Sequence, residues 1–177
     1  MEDLSLHILD IVENSIKAKA LRIEIKVIED IGKDLLTIEI KDNGQGIDEG
    51  TIKKVFDPFF TTRTTRRVGL GLPLLSQAAR ESGGDIEIES EVGRGTRVKA
   101  TFGYSHIDRK PLGNMEATLT TLIAGNPEVD FIYEHKKDEL EYRLDTKEIR
   151  AGIIRKSNKV VKERKQDRQS NNEGVKQ

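Results

Sequence analysis

Leu36-Thr37-Ile38-Glu39-Ile40-Lys41-Asp42-Asn43-Gly44-Gln45-Gly46 is the stretch on which the rest of the chain turns. Leu36, Ile38 and Ile40 alternate with polar residues, which predicts a strand with one buried face. Asp42 to Gly46 follow directly, and the two closely spaced glycines allow a sharp turn and a close backbone approach to a planar ligand. Taken alone, Asp-Asn-Gly is also an ordinary turn. Upstream, Leu21, Ile23, Ile25 and Val27 alternate in the same way and Asp30 to Asp34 supply a turn, so the two strands read as a half-buried hairpin. Before them Leu4, Ile8, Ile11, Val12 and Ile16 recur at helical spacing. His7, Asp10, Asn14 and Lys17 fall three, four and three apart, which predicts one polar stripe on that helix. Such stripes are by default solvated faces.

Downstream, a short helix is expected near Asp48 to Phe56, then a Thr- and Arg-rich loop from Thr61 to Arg67 without apolar pattern. Gly69-Leu70-Gly71-Leu72 opens a helix running to Ala79, with Pro73 in its first turn, where its missing N–H has no intrahelical partner. Free N–H groups and the positive dipole end there suit phosphate oxygens, while close packing of a glycine turn is the structural alternative. Ser82-Gly83-Gly84 ends that helix. Two more alternating strands, Ile86 to Glu89 and Thr96 to Phe102, are joined by Glu91-Val92-Gly93-Arg94-Gly95. The order predicts an α/β (α+β) two-layer sandwich, a mixed sheet with helices on one face. Beyond Tyr104, a linker, a helix bearing Met115, Leu119, Leu122 and Ile123, and a hairpin (Val129 to Tyr133, Leu140 to Leu144, turning at Lys136 to Asp138) form a 105–150 appendage. It buries too little to stand alone and is expected to dock on residues 1–104. Residues 151–177 read as a basic tail, helical or disordered, with eight Lys or Arg against three acids.

The whole chain has 177 residues, formal net charge −1 and no cysteine. That length supports one core, with room for an appendage. The missing cysteines exclude a disulfide framework, a thiolate metal site and a cysteine nucleophile, and they fit a reducing, cytoplasmic setting. Met1 to His7 lack the pattern of a signal peptide, and no run is apolar enough to span a membrane. The near-zero charge disfavours a wholly basic nucleic-acid binder, and Lys156 to Lys165 contains no aromatic residue for base stacking. Neither glycine loop is a P-loop or a Rossmann fingerprint, because Gly-Lys-Ser/Thr and the third glycine are absent.

Five ordered features, however, resemble the GHKL ATPases, which join gyrase B subunits, ninety-kilodalton heat-shock chaperones, histidine kinases and MutL. They are a helix with Asp10, Asn14, Lys17 and Ala18; a strand ending in Asp42-x-Gly44-x-Gly46; Phe56-Asp57-Pro58-Phe59-Phe60; Gly69-Leu70-Gly71-Leu72; and Gly93-x-Gly95-Thr96 before a strand. The resemblance covers about residues 4 to 104 and implies the Bergerat ATP-binding fold. Phe56 to Arg63 is similar to the corresponding segment of nitrogen-regulation-type sensor kinases, whereas Val12-Glu13-Asn14-Ser15 looks more like MutL.

The resemblance implies ATP and Mg²⁺ as ligands. Asn14 would supply its amide oxygen to the metal, Asp42 would accept from the adenine amino group, and Thr96 would reach the same edge through water. Gly44 and Gly46 would shape the adenine pocket, with Ile47 beside them. Lys17, Arg63 and the Gly69, Leu70, Gly71 and Leu72 turn would meet the phosphates, and Thr61 to Arg67 would form a lid without the usual glycine at Arg67. Asp10 stands where gyrase-like and MutL-like relatives carry a water-activating glutamate one methylene longer; it is the candidate base. No phosphoacceptor box is found, and His7, facing the site on the helix stripe, is expected either to pack or to support a residue that contacts the ligand. His106 and His135 are expected at the surface. The expected function is that of a stand-alone histidine-kinase-like domain transferring the γ-phosphoryl of ATP to a partner protein. The alternatives are an ATP-operated switch or regulatory ATPase, and a nucleic-acid binder acting through the tail.

Overall fold

A computed structural model describes residues 3–56 and 71–152. Its elements are α1 (Leu4–Lys17), β1 (Arg22–Asp30), β2 (Leu35–Asp42), α2 (Glu49–Ile52), α3 (Gly71–Glu81), β3 (Ile86–Glu91), β4 (Gly95–Gly103), α4 (Met115–Gly125), β5 (Asp130–Lys137), β6 (Leu140–Asp145) and α5 (Thr146–Arg150). The six strands form one mixed sheet in the order β3-β4-β2-β1-β5-β6. All neighbours are antiparallel except β1 and β5, which run parallel.

Register explains the core. Ile23, Ile25 and Val27 sit beside Asp42, Ile40 and Ile38 of β2 and beside Phe131, Tyr133 and His135 of β5. On the other side Ile40, Ile38 and Leu36 face Val98, Ala100 and Phe102. Period-two alternation thus lines up one apolar face across the sheet, and the buried sides of α1, α3 and α4 close it. The opposite face is a ladder of charges, with Arg97 reaching Glu39 at 2.7 Å and Glu89 at 3.0 Å. The two-layer arrangement with helices over one face is the one the alternation predicts.

Residues beyond Tyr104 share this core. Met115, Leu119 and Leu122 of α4 and Phe131 and Tyr133 of β5 are buried in the same cluster as Ile23 and Ile25. Burying Phe131 completely is worth about 2–3 kcal/mol by apolar area. The chain returns against α1 on the way, the N–H groups of Leu4 and Ser5 donating to Pro111 and Leu112 carbonyls at 2.9 and 2.8 Å. The hairpin is longer than its alternation suggested: β5 runs to Lys137, and the turn lies at Asp138, which takes a positive φ of 48°. α5 is too short to leave a periodic signature. Its N-cap Asp145 accepts from the N–H groups of Lys147 and Glu148, and the Phe131 N–H donates to Thr146 Oγ1 at 2.9 Å. Most of the tail, from 153 onward, lies outside the described residues.

Candidate functional site

The site forms where α1, the end of β2 and the β3–β4 turn meet. Asp3 caps α1, its carboxylate accepting from Leu6 N–H at 3.1 Å and Ser5 Oγ–H at 2.7 Å. Leu4, Ile8, Ile11 and Val12 face the core, Asn14 and Lys17 are exposed, and Asp10 is half-buried. The predicted stripe loses one member. His7 is only 2% exposed and is packed into the interior rather than displayed with Asp10 and Asn14. It lies at the border of the apolar stripe, and the chain's return at Pro111 and Leu112 covers this end of the helix. Among the described residues, neither ring nitrogen has a hydrogen-bond partner. Burial, helped by the charge of Lys110, pushes its pKa down to about 4, so the ring is neutral.

Asp42 continues the inward side of β2 after Ile38 and Ile40, placing a carboxylate where the pattern would place another apolar side chain; it is 8% exposed. Its Oδ1 accepts from Gly44 N–H at 2.8 Å and Thr96 N–H at 3.2 Å. Its Oδ2 accepts from Ser15 Oγ–H at 2.6 Å. A buried carboxylate is tolerated because donors surround it. With Oδ1 filled by two donors, Oδ2 is the oxygen left to accept one more.

The loop after Asp42 is stitched to both neighbours. Asn43 Oδ1 accepts from Leu21 and Arg22 N–H, each at 2.9 Å. Gln45 N–H donates to the Ala18 carbonyl at 2.8 Å, and its own carbonyl accepts from Gly93 N–H at 2.7 Å. Ile47, half-buried, donates its N–H to Ser90 Oγ at 2.8 Å, and Ser90 Oγ and Thr96 Oγ1 lie 2.8 Å apart. Gly46 has a φ of +72°, and a Cβ there would stand 2.1 Å from the Glu91 carbonyl oxygen. Its nearest neighbour is protein backbone, so close packing against β3 already accounts for this glycine. Asp42 and Thr96 also border an open cleft of about 410 Å³, lined besides by Lys41, Glu89, Arg94 and Arg97.

Across α1, Asp10 meets the start of α3. A Cβ on Gly71 would lie 3.2 Å from Asp10 Oδ2, so the carboxylate rests against the first residue of that helix, at its positive end. Leu72 is half-buried against the core. Lys17, a candidate phosphate contact, pairs with Glu13 at 3.3 Å on an exposed face, a bond weak enough to exchange. Arg63, Gly69, Leu70 and the expected lid from Thr61 to Arg67 lie outside the described residues.

This geometry agrees with the family comparison, in which residues 2–106 match the model of the histidine kinase-, DNA gyrase B- and HSP90-like ATPases. The chain belongs to that ATPase family. Among relatives of this GHKL domain, the sensor histidine kinase YxdK of Bacillus subtilis is 35% identical over 99 residues, 52% of this chain and 30% of that protein. The sensor kinase CckA of Brucella abortus is 40% identical over 67 residues, 37% of this chain and 7% of that protein. The chain therefore spans less than a third of the length of these curated relatives. In fold it is similar to the Aquifex aeolicus MutL ATPase domain complexed with ADP, with a TM-score of 0.52 and 23% identity over 82% of this chain and 63% of that one. The GHKL domain here is thus similar to the catalytic domains of histidine kinases.

Ser15 and Ser90 escaped the sequence reading. Each acts through a partner distant in sequence, Ser15 on Asp42 and Ser90 on Ile47. His135 was expected at the surface but is half-buried away from the site, with Nε2 2.7 Å from Glu29 Oε1 and Nδ1 3.1 Å from the Tyr133 hydroxyl. His106 is exposed, as expected. Among the described residues no helix is long and apolar enough to cross a membrane.

Proposed function

We propose that this chain binds Mg-ATP and transfers the γ-phosphoryl group to an acceptor side chain on a partner protein, in the cytoplasm. The observation that carries the reading is the Asp42 carboxylate, buried, held by three donors and retaining acceptor capacity on Oδ2. A 6-amino purine offers an N–H to such an oxygen, whereas a 6-oxo purine would set oxygen against oxygen.

Among the described residues no cluster of three acidic or histidine side chains forms a metal site. Mg²⁺ keeps several waters and takes other ligands from phosphates, so Asn14, exposed one turn beyond Asp10, would serve as its protein ligand. When bound, the metal neutralises charge on the phosphates during in-line transfer. A cation there would also offset repulsion between the Asp10 carboxylate and a phosphate at the start of α3. Lys17, freed from Glu13, supplies a further positive charge, and protein groups otherwise position rather than react.

The Asp10–Gly71 contact also favours a second reading, a nucleotide-operated switch. Arrival of a charged phosphate there changes the forces between α1 and α3, which pack together, and differential contact is what a switch requires. Incubation with γ-labelled ATP and Mg²⁺, alone and with cell extract, separates the two. Transfer is expected to label a partner protein and to vanish in the Asp42→Asn variant. Free phosphate or nucleotide binding without label on any protein rejects the transferase reading in favour of the switch.

A further inference from the structure

On the sheet face turned away from the helices, one row of side chains crosses all six strands. In facing positions it runs Glu87 on β3, Lys99 on β4, Glu39 on β2, Lys26 on β1, Glu134 on β5 and Arg143 on β6. The charge alternates at every step. Lys99 lies 3.7 Å from Glu87, Lys26 3.0 Å from Glu134, and Arg143 3.5 Å from Glu134. The row ends on a cation, and among the described residues no strand lies beyond β6. The next position outward is one that an acidic side chain would fill.

The sheet's two edges differ in how they would meet a copy of themselves. β3 carries Glu87, Glu89 and Glu91 on one face, so every antiparallel self-pairing sets acid against acid, a familiar way of blunting an edge. β6 reads Leu140-Glu141-Tyr142-Arg143-Leu144-Asp145, without proline, glycine or lysine, and Leu140 and Tyr142 are 58% and 56% exposed. Facing residues must share a sheet face, so a two-fold axis between two such strands passes through a residue. An axis at Leu140 faces Glu139 with Glu141. One at Glu141 or Arg143 sets that residue against its own copy, and one at Leu144 uses only the last three residues of the strand. An axis at Tyr142 pairs Tyr142 with its copy, Leu140 with Leu144 and Glu141 with Arg143.

We propose that β6 pairs antiparallel with β6 of a second copy about a two-fold axis at Tyr142, joining two sheets into one. The alternating row then continues from Arg143 to Glu141 and Lys136 of the second copy, which face each other across β6 and β5 within each chain. Asp145 and Glu148 already approach Arg143 at 3.0 and 3.2 Å, so the added ion pair contributes more to choice of register than to strength. About five residues a side is far below the roughly 20–30 of a standard interface, so the dimer is weak and forms at high protein concentration.

The absence of cysteine from the chain gives a clean test of register. Facing Cα atoms in an antiparallel pair stand about 4.5–5.5 Å apart, within disulfide reach. The full-length Tyr142→Cys variant is therefore expected to cross-link to a dimer under mild oxidation. Leu140→Cys, equally exposed but facing Leu144 of the second copy, is expected to cross-link at least about tenfold more slowly, being roughly 13 Å from its own copy. Sedimentation of the unmodified chain from about 1 to 500 µM is expected to show a monomer–dimer equilibrium, shifted to monomer by Glu141→Arg. A monomer throughout that range overturns the proposal. So does equal cross-linking at the two positions, or a Glu141→Arg variant that associates unchanged.

Discussion

Replacing Asp42 with Asn alters one atom and one charge at the centre of the site. The amide oxygen must stay where Oδ1 is, because Gly44 and Thr96 both donate there. The amide nitrogen therefore takes the place of Oδ2 and turns the free acceptor into a donor. Ser15 can adapt: its hydroxyl already lies 3.4 Å from the Ile11 carbonyl and can donate there while accepting from the amide. The expected cost to stability is only about 1–2 kcal/mol, that of exchanging charged for neutral hydrogen bonds. Nucleotide binding suffers more. It loses a charge-assisted bond of about 1.5–3 kcal/mol, and a donor left facing the adenine amino group adds about 1–3 kcal/mol. A total near 3–5 kcal/mol corresponds to at least a hundredfold weaker Kd for ATP. Titration calorimetry of parent and variant, with thermal melting to confirm the fold, reads this directly. Inosine triphosphate, whose 6-oxo group accepts from the new amide, is expected to lose little affinity or to gain some. A folded variant that binds ATP within about threefold of the parent would refute the assignment of Asp42.

His7 predicts an acid sensitivity unrelated to the site. Its folded pKa of about 4 lies below the unfolded value near 6.5, so its contribution is fully present above pH 6.5 and is lost as pH falls towards 4. Urea unfolding across that range is expected to fall by up to about 3 kcal/mol more in the parent than in His7→Leu; parallel pH profiles would contradict a buried neutral imidazole. Phe131→Ala, in the strand that joins β1, is expected to cost about 3–5 kcal/mol while melting remains one transition. Two separated transitions would mean that residues beyond Tyr104 do not share the core.

Local pattern carried a large part of this protein. Alternation at Ile23, Ile25 and Val27 and at Leu36, Ile38 and Ile40, the helical spacing from Leu4 to Ile16, and the glycines after Asp42 each depend on neighbours a few residues away, and the strands and helices they predict are present. The order of motifs also identifies the ATPase family without any tertiary contact, because a fixed order of short signals is itself a sequence property. Tertiary structure decided what depends on partners distant in sequence. The parallel pairing of β5 with β1, the Ser15 hydroxyl that orients Asp42, the burial of His7 and the hydrogen bond from His135 to Glu29 all join residues that no local period relates. The same holds for the glycines: the sequence shows where the chain is free to turn, but only the packed hairpin shows that Gly46 lies against the Glu91 carbonyl. Periodicity records which face of an element is apolar, and register across the sheet determines which side chains that face meets.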